Sequence, residues 1–370
     1  MNKPQNIYIL YTGGTIGMIG RPLTPMSPDK FKTLLSSMPG FTDQTITLQT
    51  SENVEITINY TLEAFETPID SSNMTPQDWV AITELILDNY WKYDGFVVLH
   101  GTDTLSWTAS ALSYMLEGLT KPVIVTGSQI PLAQTRNDGL RNLTTSIMLA
   151  ATSNVPEVCL FFNTDLMRGN RAVKVNTCQF NGFISPKHPP LAVSGIETHV
   201  NQEFVIPFPP ESISLNIPEN LKKIQIRLKN MKPLINQFSV IAMILFPGIE
   251  ASMIKAMINS TKPHLKGLVL LAFGEGNAPS TTAFLETMTQ ADHTGITIVN
   301  VTQCLKGSVN INAYDSASGL RKAGVISGYD LTPEAALSKL FYLIAQGLTQ
   351  NDVKKHIQTP IAGDLNLPNK

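Results

Sequence analysis

The sequence predicts an α/β protein, with a doubly wound, mostly parallel sheet in a larger N-terminal domain and a smaller α/β C-terminal domain. Three observations predict it. Short apolar runs of strand length alternate with helical patterns through the first half of the chain. These runs are continuously hydrophobic, as in parallel strands covered on both faces. A proline-crowded stretch then parts them from a second series of the same kind.

The first strand is expected at Ile7 to Tyr11, and the next ones at Phe96 to Leu99, Val123 to Val125 and Val158 to Phe162. Helices fall between them. Thr75-Pro76-Gln77-Asp78 announces one, with a cap hydroxyl, proline at the first helical position and an acid at the third. Trp79, Ile82, Leu85 and Ile86 then follow at helical spacing, and Leu105 to Leu119 and Leu140 to Ala151 read the same way. Prolines crowd the stretch from Pro186 to Pro218, where periodicity lapses. Buried strands resume at Val240 to Leu245, Leu268 to Ala272 and Ile296 to Val301, and a closing helix starts at Thr332-Pro333-Glu334. The expected organisation is an N-terminal α/β domain at 1–192, an interdomain connection at 193–235 and a C-terminal α/β domain at 236–370.

Length and charge narrow the function. A chain of 370 residues fits two to three domains. Lys and Arg number 27 against 29 Asp and Glu, a net charge of -2. That balance argues against a nucleic-acid footprint or a polybasic membrane surface, both of which need a local excess of cations. A small-molecule substrate is expected, with no nucleic acid and no membrane as partner. Cys159, Cys178 and Cys304 stand far apart with no C-x-x-C, so neither a disulfide framework nor a zinc site is expected. The first apolar run is too short for a signal-peptide core or a membrane span, and a cytoplasmic location is expected.

Four strand ends are each followed by small polar residues: Thr12 to Thr15, Gly101 to Thr104, Thr126 to Gln129, and Asn163 to Lys174. Open α/β sheets hold ligands at the carboxyl ends of their strands, and threonine can act as an acyl-transfer nucleophile, so an enzyme is the leading expectation. Asp103 alone is a natural cap for the helix that begins at Leu105. Lys174 alone is a surface lysine. Brought together, the two hold each other charged and polarise the Thr102 hydroxyl between them. His100, at the end of an apolar strand, reads as a packed, hydrogen-bonded residue rather than a base. No nucleotide-binding glycine motif and no H-E-x-x-H occurs, so no cofactor and no metal are expected.

Tyr11-Thr12-Gly13-Gly14-Thr15-Ile16-Gly17 and His100-Gly101-Thr102-Asp103-Thr104 together resemble the two signatures of bacterial-type L-asparaginases. Asp70-Ser71-Ser72-Asn73-Met74, Val125 to Gln129 and Arg168 to Lys174 fit the same pattern, and the likeness is greatest to the cytoplasmic type I group. The resemblance implies hydrolysis of L-asparagine to L-aspartate and ammonia, with Thr15 as nucleophile and a β-aspartyl ester as intermediate. It implies Thr102, Asp103 and Lys174 as a second, triad-like group. It further implies that Asp103 holds the substrate α-amino group, that Ser71 receives the α-carboxylate, and that Asp70, Ser72 and Thr102 line the same pocket. Backbone N–H groups of the Gly101 and Thr102 turn would steady the oxyanion; one such donor is worth about 3 kcal/mol.

The resemblance also implies a homodimer or homotetramer, in which a loop of the C-terminal domain closes the neighbour's pocket. Phe273-Gly274-Glu275-Gly276-Asn277-Ala278 resembles that loop and makes Asn277 a candidate substrate-binding residue; by composition it reads equally as a glycine-rich turn. One position departs from the pattern. Family members carry a tyrosine on the loop after the first signature, and here Leu23 stands in its place, which a proton relay cannot use. The alternative reading is therefore a catalytically weakened asparagine-binding or sensing paralogue. A third, the amidotransferase component of the same fold, is disfavoured by the position of the first signature near residue 1.

Overall fold

The computed structural model describes residues 4–42, 44–49, 55–310 and 315–367. They form two compact units, Met1–Ile224 and Gln225–Lys370.

The first unit is built on a ten-stranded sheet. In chain order its strands are β1 (Gln5–Gly13), β2 (Phe41–Thr42), β3 (Thr45–Gln49), β4 (Glu55–Ile69), β5 (Gly95–Leu99), β6 (Val123–Thr126), β7 (Val158–Phe162), β8 (Asp165–Arg168), β9 (Ala192–Ser194) and β10 (Thr198–Val200). Across the sheet the order is β10-β9-β8-β7-β6-β5-β1-β4-β3-β2. The central five, β4-β1-β5-β6-β7, pair in parallel, while the strands on either flank pair antiparallel. Counted among themselves, the parallel strands follow the flavodoxin-like order, and the topological switch point falls between β1 and β5.

Both faces of this sheet are covered, as the continuous apolar runs predict. Ile7, Ile9 and Tyr11 join Val97, Leu99, Ile124 and Phe161 in one core, with Phe31 and Leu35 of α1 (Pro28–Ser36) packed on it. Successive side chains of a strand face opposite ways. Tyr8, Leu10, Phe96 and Val98 are likewise buried. The helices α2 (Pro76–Asp88) and α3 (Leu105–Met115) pack on each other, and α3 also packs on β6 and β7. The helix α4 (Gly139–Thr152) supplies Leu143 and Ile147 to the first core. The start of α2 is set as its sequence announces, with Pro76 in the first turn and a capping box between Thr75 and Asp78.

The proline-crowded stretch carries β9 and β10 of the first sheet, and the helix Pro218–Met231 spans the division between the units. In the second unit, β11 (Ser239–Ile244), β12 (Leu265–Ala272), β13 (Thr297–Thr302) and β14 (Ile326–Ser327) form a parallel sheet in sequential order. Helices Ala251–Ser260 and Thr282–His293 supply Ile254, Phe284 and Met288 to its core. Helix Pro333–Ala345 packs closely enough that a Cβ on Gly267 of β12 would lie 2.7 Å from Leu340 Cδ2. No helix among the described residues is long and apolar enough to cross a membrane.

Candidate active site

The loops after β1, β4 and β5 meet at the switch point with their main chains in close approach. Gly14 N donates to Ile69 O at 3.1 Å. A Cβ on Gly13 would lie 2.1 Å from that same oxygen, and one on Gly14 would lie 2.3 Å from both N and Cα of Gly101. Both glycines also hold positive φ, +128° and +83°. Gly101 in turn leaves space for Ser71, whose Oγ would sit 2.4 Å from a Cβ there. Thr104 Oγ1 completes the seam by donating to Ser71 O at 2.7 Å.

Thr15 opens a short 3-10 turn, Thr15–Gly17, directly after Gly14. That turn is held from three directions: Leu132 N donates to Ile16 O, Met26 N to Gly17 O and Tyr11 Oη to Gly17 O. Gly17 is required because a Cβ would lie 2.1 Å from the Tyr11 hydroxyl oxygen. The Thr15 side chain is half-buried and has no hydrogen-bond partner among the described residues.

Thr102, Asp103 and Lys174 come together as the sharper sequence reading expects. Lys174 Nζ donates to Thr102 Oγ1 at 2.9 Å and to Asp103 Oδ1 at 2.7 Å. The lysine arrives on a two-stranded antiparallel ribbon, Val173–Lys174 with Phe183–Ile184, which fixes its approach. Thr102 is buried, and the side chains of Lys174 and Asp103 are 18% and 62% exposed. The aspartate therefore reaches solvent, where a charged ligand group can meet it.

Among the other candidates, Asp70 accepts from Ser72 N at 3.2 Å and caps the Ser71–Asn73 turn. Ser71 is buried against Gly101, whereas Asp70 and Ser72 are exposed. Asn277 belongs to the second unit, in a tight turn after β12 where Phe273 N donates to Asn277 O at 2.9 Å. Leu23 lies in the bend between Met18–Ile19 and Thr24–Pro25, a small antiparallel hairpin, and is 42% exposed.

Supporting groups sit just behind these loops. Asp138, which the sequence reading passed over, is buried and accepts from Gln129 N and Ile130 N, which shapes the turn after β6. Thr12 Oγ1 donates to Leu99 O and ties β1 to β5 at the base of the crevice. His100 is fully buried, as its packed reading expects, and burial pulls its pKa down to about 4. A polar residue closing an apolar strand is the signal that marks both Thr12 and His100, whereas Asp138 carries no comparable mark.

The chain matches the family model Asparaginase, N-terminal over residues 6–206 and the Glutaminase/Asparaginase C-terminal domain over residues 239–357. It is 40% identical to L-asparaginase 1 of Escherichia coli (strain K12) over 365 residues, 98% of each chain. The 60 kDa lysophospholipase of Mus musculus is 37% identical over 383 residues, covering 100% of this chain and 64% of that one. The crystal structure of L-asparaginase I from Vibrio cholerae O1 biovar eltor matches with a TM-score of 0.79 at 40% identity, covering 99% of this chain and 100% of the other.

Proposed function

We propose that this chain, which belongs to the asparaginase family, hydrolyses the side-chain amide of L-asparagine to L-aspartate and ammonia by way of a threonine nucleophile. The observation that carries this reading is Lys174 Nζ, which bonds Thr102 and Asp103 together beside the seam that anchors the Thr15 turn. In this mechanism Thr15 Oγ1 attacks the carboxamide carbon and the C–N bond breaks. The proton lost by Thr15 reaches the departing nitrogen, so that ammonia leaves and a β-aspartyl ester remains on Thr15. Water, activated through Thr102 and Lys174, then attacks the ester and restores the threonine.

Binding falls to the surrounding polar groups. Asp103 takes the α-ammonium and Ser71 the α-carboxylate, with Asp70, Ser72 and Thr102 lining the pocket, while the loop that carries Asn277 closes the neighbour's pocket in the assembly. A small zwitterion offers few atoms, so several paired contacts must fix it before a weak nucleophile can act. The protein works in the cytoplasm as a homodimer or homotetramer. Ile244, Phe246 and Met253, which follow one another in the chain from the end of β11 into the helix after it, are exposed apolar side chains that an assembled form would cover.

A second reading rests on Leu23, which can neither accept nor donate the proton that the loop tyrosine handles in the family. It makes the chain an asparagine-binding or sensing paralogue of low turnover. Ammonia release from L-asparagine, measured for the purified protein and for Thr15→Ala, separates the two. The enzyme reading expects release that the variant abolishes; equal, slow release from both favours the binding protein.

A further inference from the structure

Behind the Gly101–Thr102 turn runs a chain of four hydrogen-bonded groups whose directions can all be assigned. Gly101 O lies 2.8 Å from His100 Nδ1 and can only accept, so Nδ1 carries the hydrogen. His100 is fully buried and faces no charged group in hydrogen-bond contact, and the ring is neutral. Its Nε2 is then a bare acceptor, 2.9 Å from Thr108 Oγ1, which must donate to it. The lone pairs of Thr108 face Trp79 Nε1, a donor only, at 3.1 Å. The relay runs Trp79 on α2 to Thr108 on α3 to His100, the residue directly after β5, and on to the Gly101 carbonyl.

The relay controls one peptide plane. The Gly101–Thr102 bond is trans, so its carbonyl and its N–H point to opposite sides. A carbonyl held toward His100 turns the Thr102 N–H away from the imidazole, and among the described residues that N–H meets no acceptor. It is a preorganised donor next to the Thr102 hydroxyl.

We propose that His100, held as the Nδ1–H tautomer by Thr108 and Trp79, is a positioning residue that orients the Gly101–Thr102 peptide so that the Thr102 N–H serves the oxyanion of the amide reaction. The role rests on the asparagine-hydrolysing reading above. His100 neither touches substrate nor moves a proton; it fixes a dipole whose value lies in being immobile while charge develops on the carboxamide oxygen.

The test reads kcat and KM for asparagine separately in His100→Leu, His100→Asn and Thr108→Val. His100→Leu lowers kcat about 10- to 100-fold and moves KM little, because the donor matters most in the transition state. The asparagine variant places an N–H near the lost Nδ1–H and recovers most of the rate, which a merely space-filling histidine does not predict. Should His100→Leu fail to fold, Thr108→Val carries the test, with kcat reduced and KM held. Nitrogen NMR of isotope-labelled histidine in the wild-type protein reads His100 as Nδ1–H near neutral pH.

An Nε2–H tautomer overturns the assignment. Wild-type kcat in both His100→Leu and Thr108→Val overturns the positioning role and leaves asparagine hydrolysis standing. Loss that His100→Asn does not recover does the same. A wild-type protein that releases no ammonia overturns both this role and the reading beneath it.

Discussion

The ammonium of Lys174 lies 2.7 Å from Asp103 Oδ1, a contact between residues 71 positions apart that also brings the lysine to Thr102. With the aspartate 62% exposed, this ion pair contributes little to folding. Its value is positional. Lys174→Met is therefore expected to lower ammonia release by roughly 100- to 10,000-fold while the urea midpoint of unfolding stays near that of the wild type. A variant that is destabilised but equally active would contradict the assignment.

Gly14→Ala tests the main-chain seam. The new methyl would lie 2.3 Å from Gly101 backbone atoms at a φ of +83°. Overpacking costs roughly 1–3 kcal/mol, and a side chain at a φ of +83° with ψ of 175°, a region nearly confined to glycine, adds about 1–3 kcal/mol. Denaturant unfolding should show the loss together with an inactive site; full activity and stability would refute the close approach.

Leu23→Tyr tests the second reading by placing a phenol in the bend between Met18–Ile19 and Thr24–Pro25. If the missing phenol limits turnover, kcat rises by about 100-fold or more. Unchanged or lower turnover points to another group that activates Thr15.

Acid should weaken the fold through His100. Its pKa falls from 6.5 in the unfolded chain to about 4 when buried, so between these values the unfolded chain binds more protons. The stabilisation is complete above pH 6.5 and is lost as pH drops toward 4. Between about pH 7.5 and 4.5 the wild type should lose roughly 2–3 kcal/mol more than His100→Asn. Urea titrations at the two pH values measure the difference, and equal losses would contradict a buried neutral ring.

The second unit has its own internal staple. Lys339 Nζ lies 2.7 Å from Asp364 Oδ2 with both side chains fully buried, and it also donates to Ile357 O and Thr359 O. Lys339→Met leaves a buried carboxylate without its cation and should cost about 3–5 kcal/mol. Calorimetry should show a lowered melting transition; an unchanged one would mean that water replaces the ammonium.

Much of this arrangement was legible in the sequence because it follows from local rules. The cap at Thr75 and Pro76, the buried runs at Val97 and Val158, and the Gly13-Gly14 pair at the end of β1 all lie where periodicity and turn chemistry set them. Strand β4 escaped notice because Glu55 to Ile69 mixes acids with apolar residues and is only partly buried. The meeting of Thr102 with Lys174 is fixed by the order of strands across the sheet, which no local pattern encodes; the residues alone leave it an open pairing, and the family resemblance singles it out. Trp79 and Thr108 read as ordinary members of an apolar helical face, since a hydrogen bond between two helices leaves no periodic trace.

Antiparallel strands finish both rims of the five parallel ones. Growth or loss of a hairpin at either rim changes the girth of the molecule without shifting the gap between β1 and β5. Descendants of such a chain are free to remodel their outline for new neighbours while the two threonine-bearing loops keep the same mutual footing.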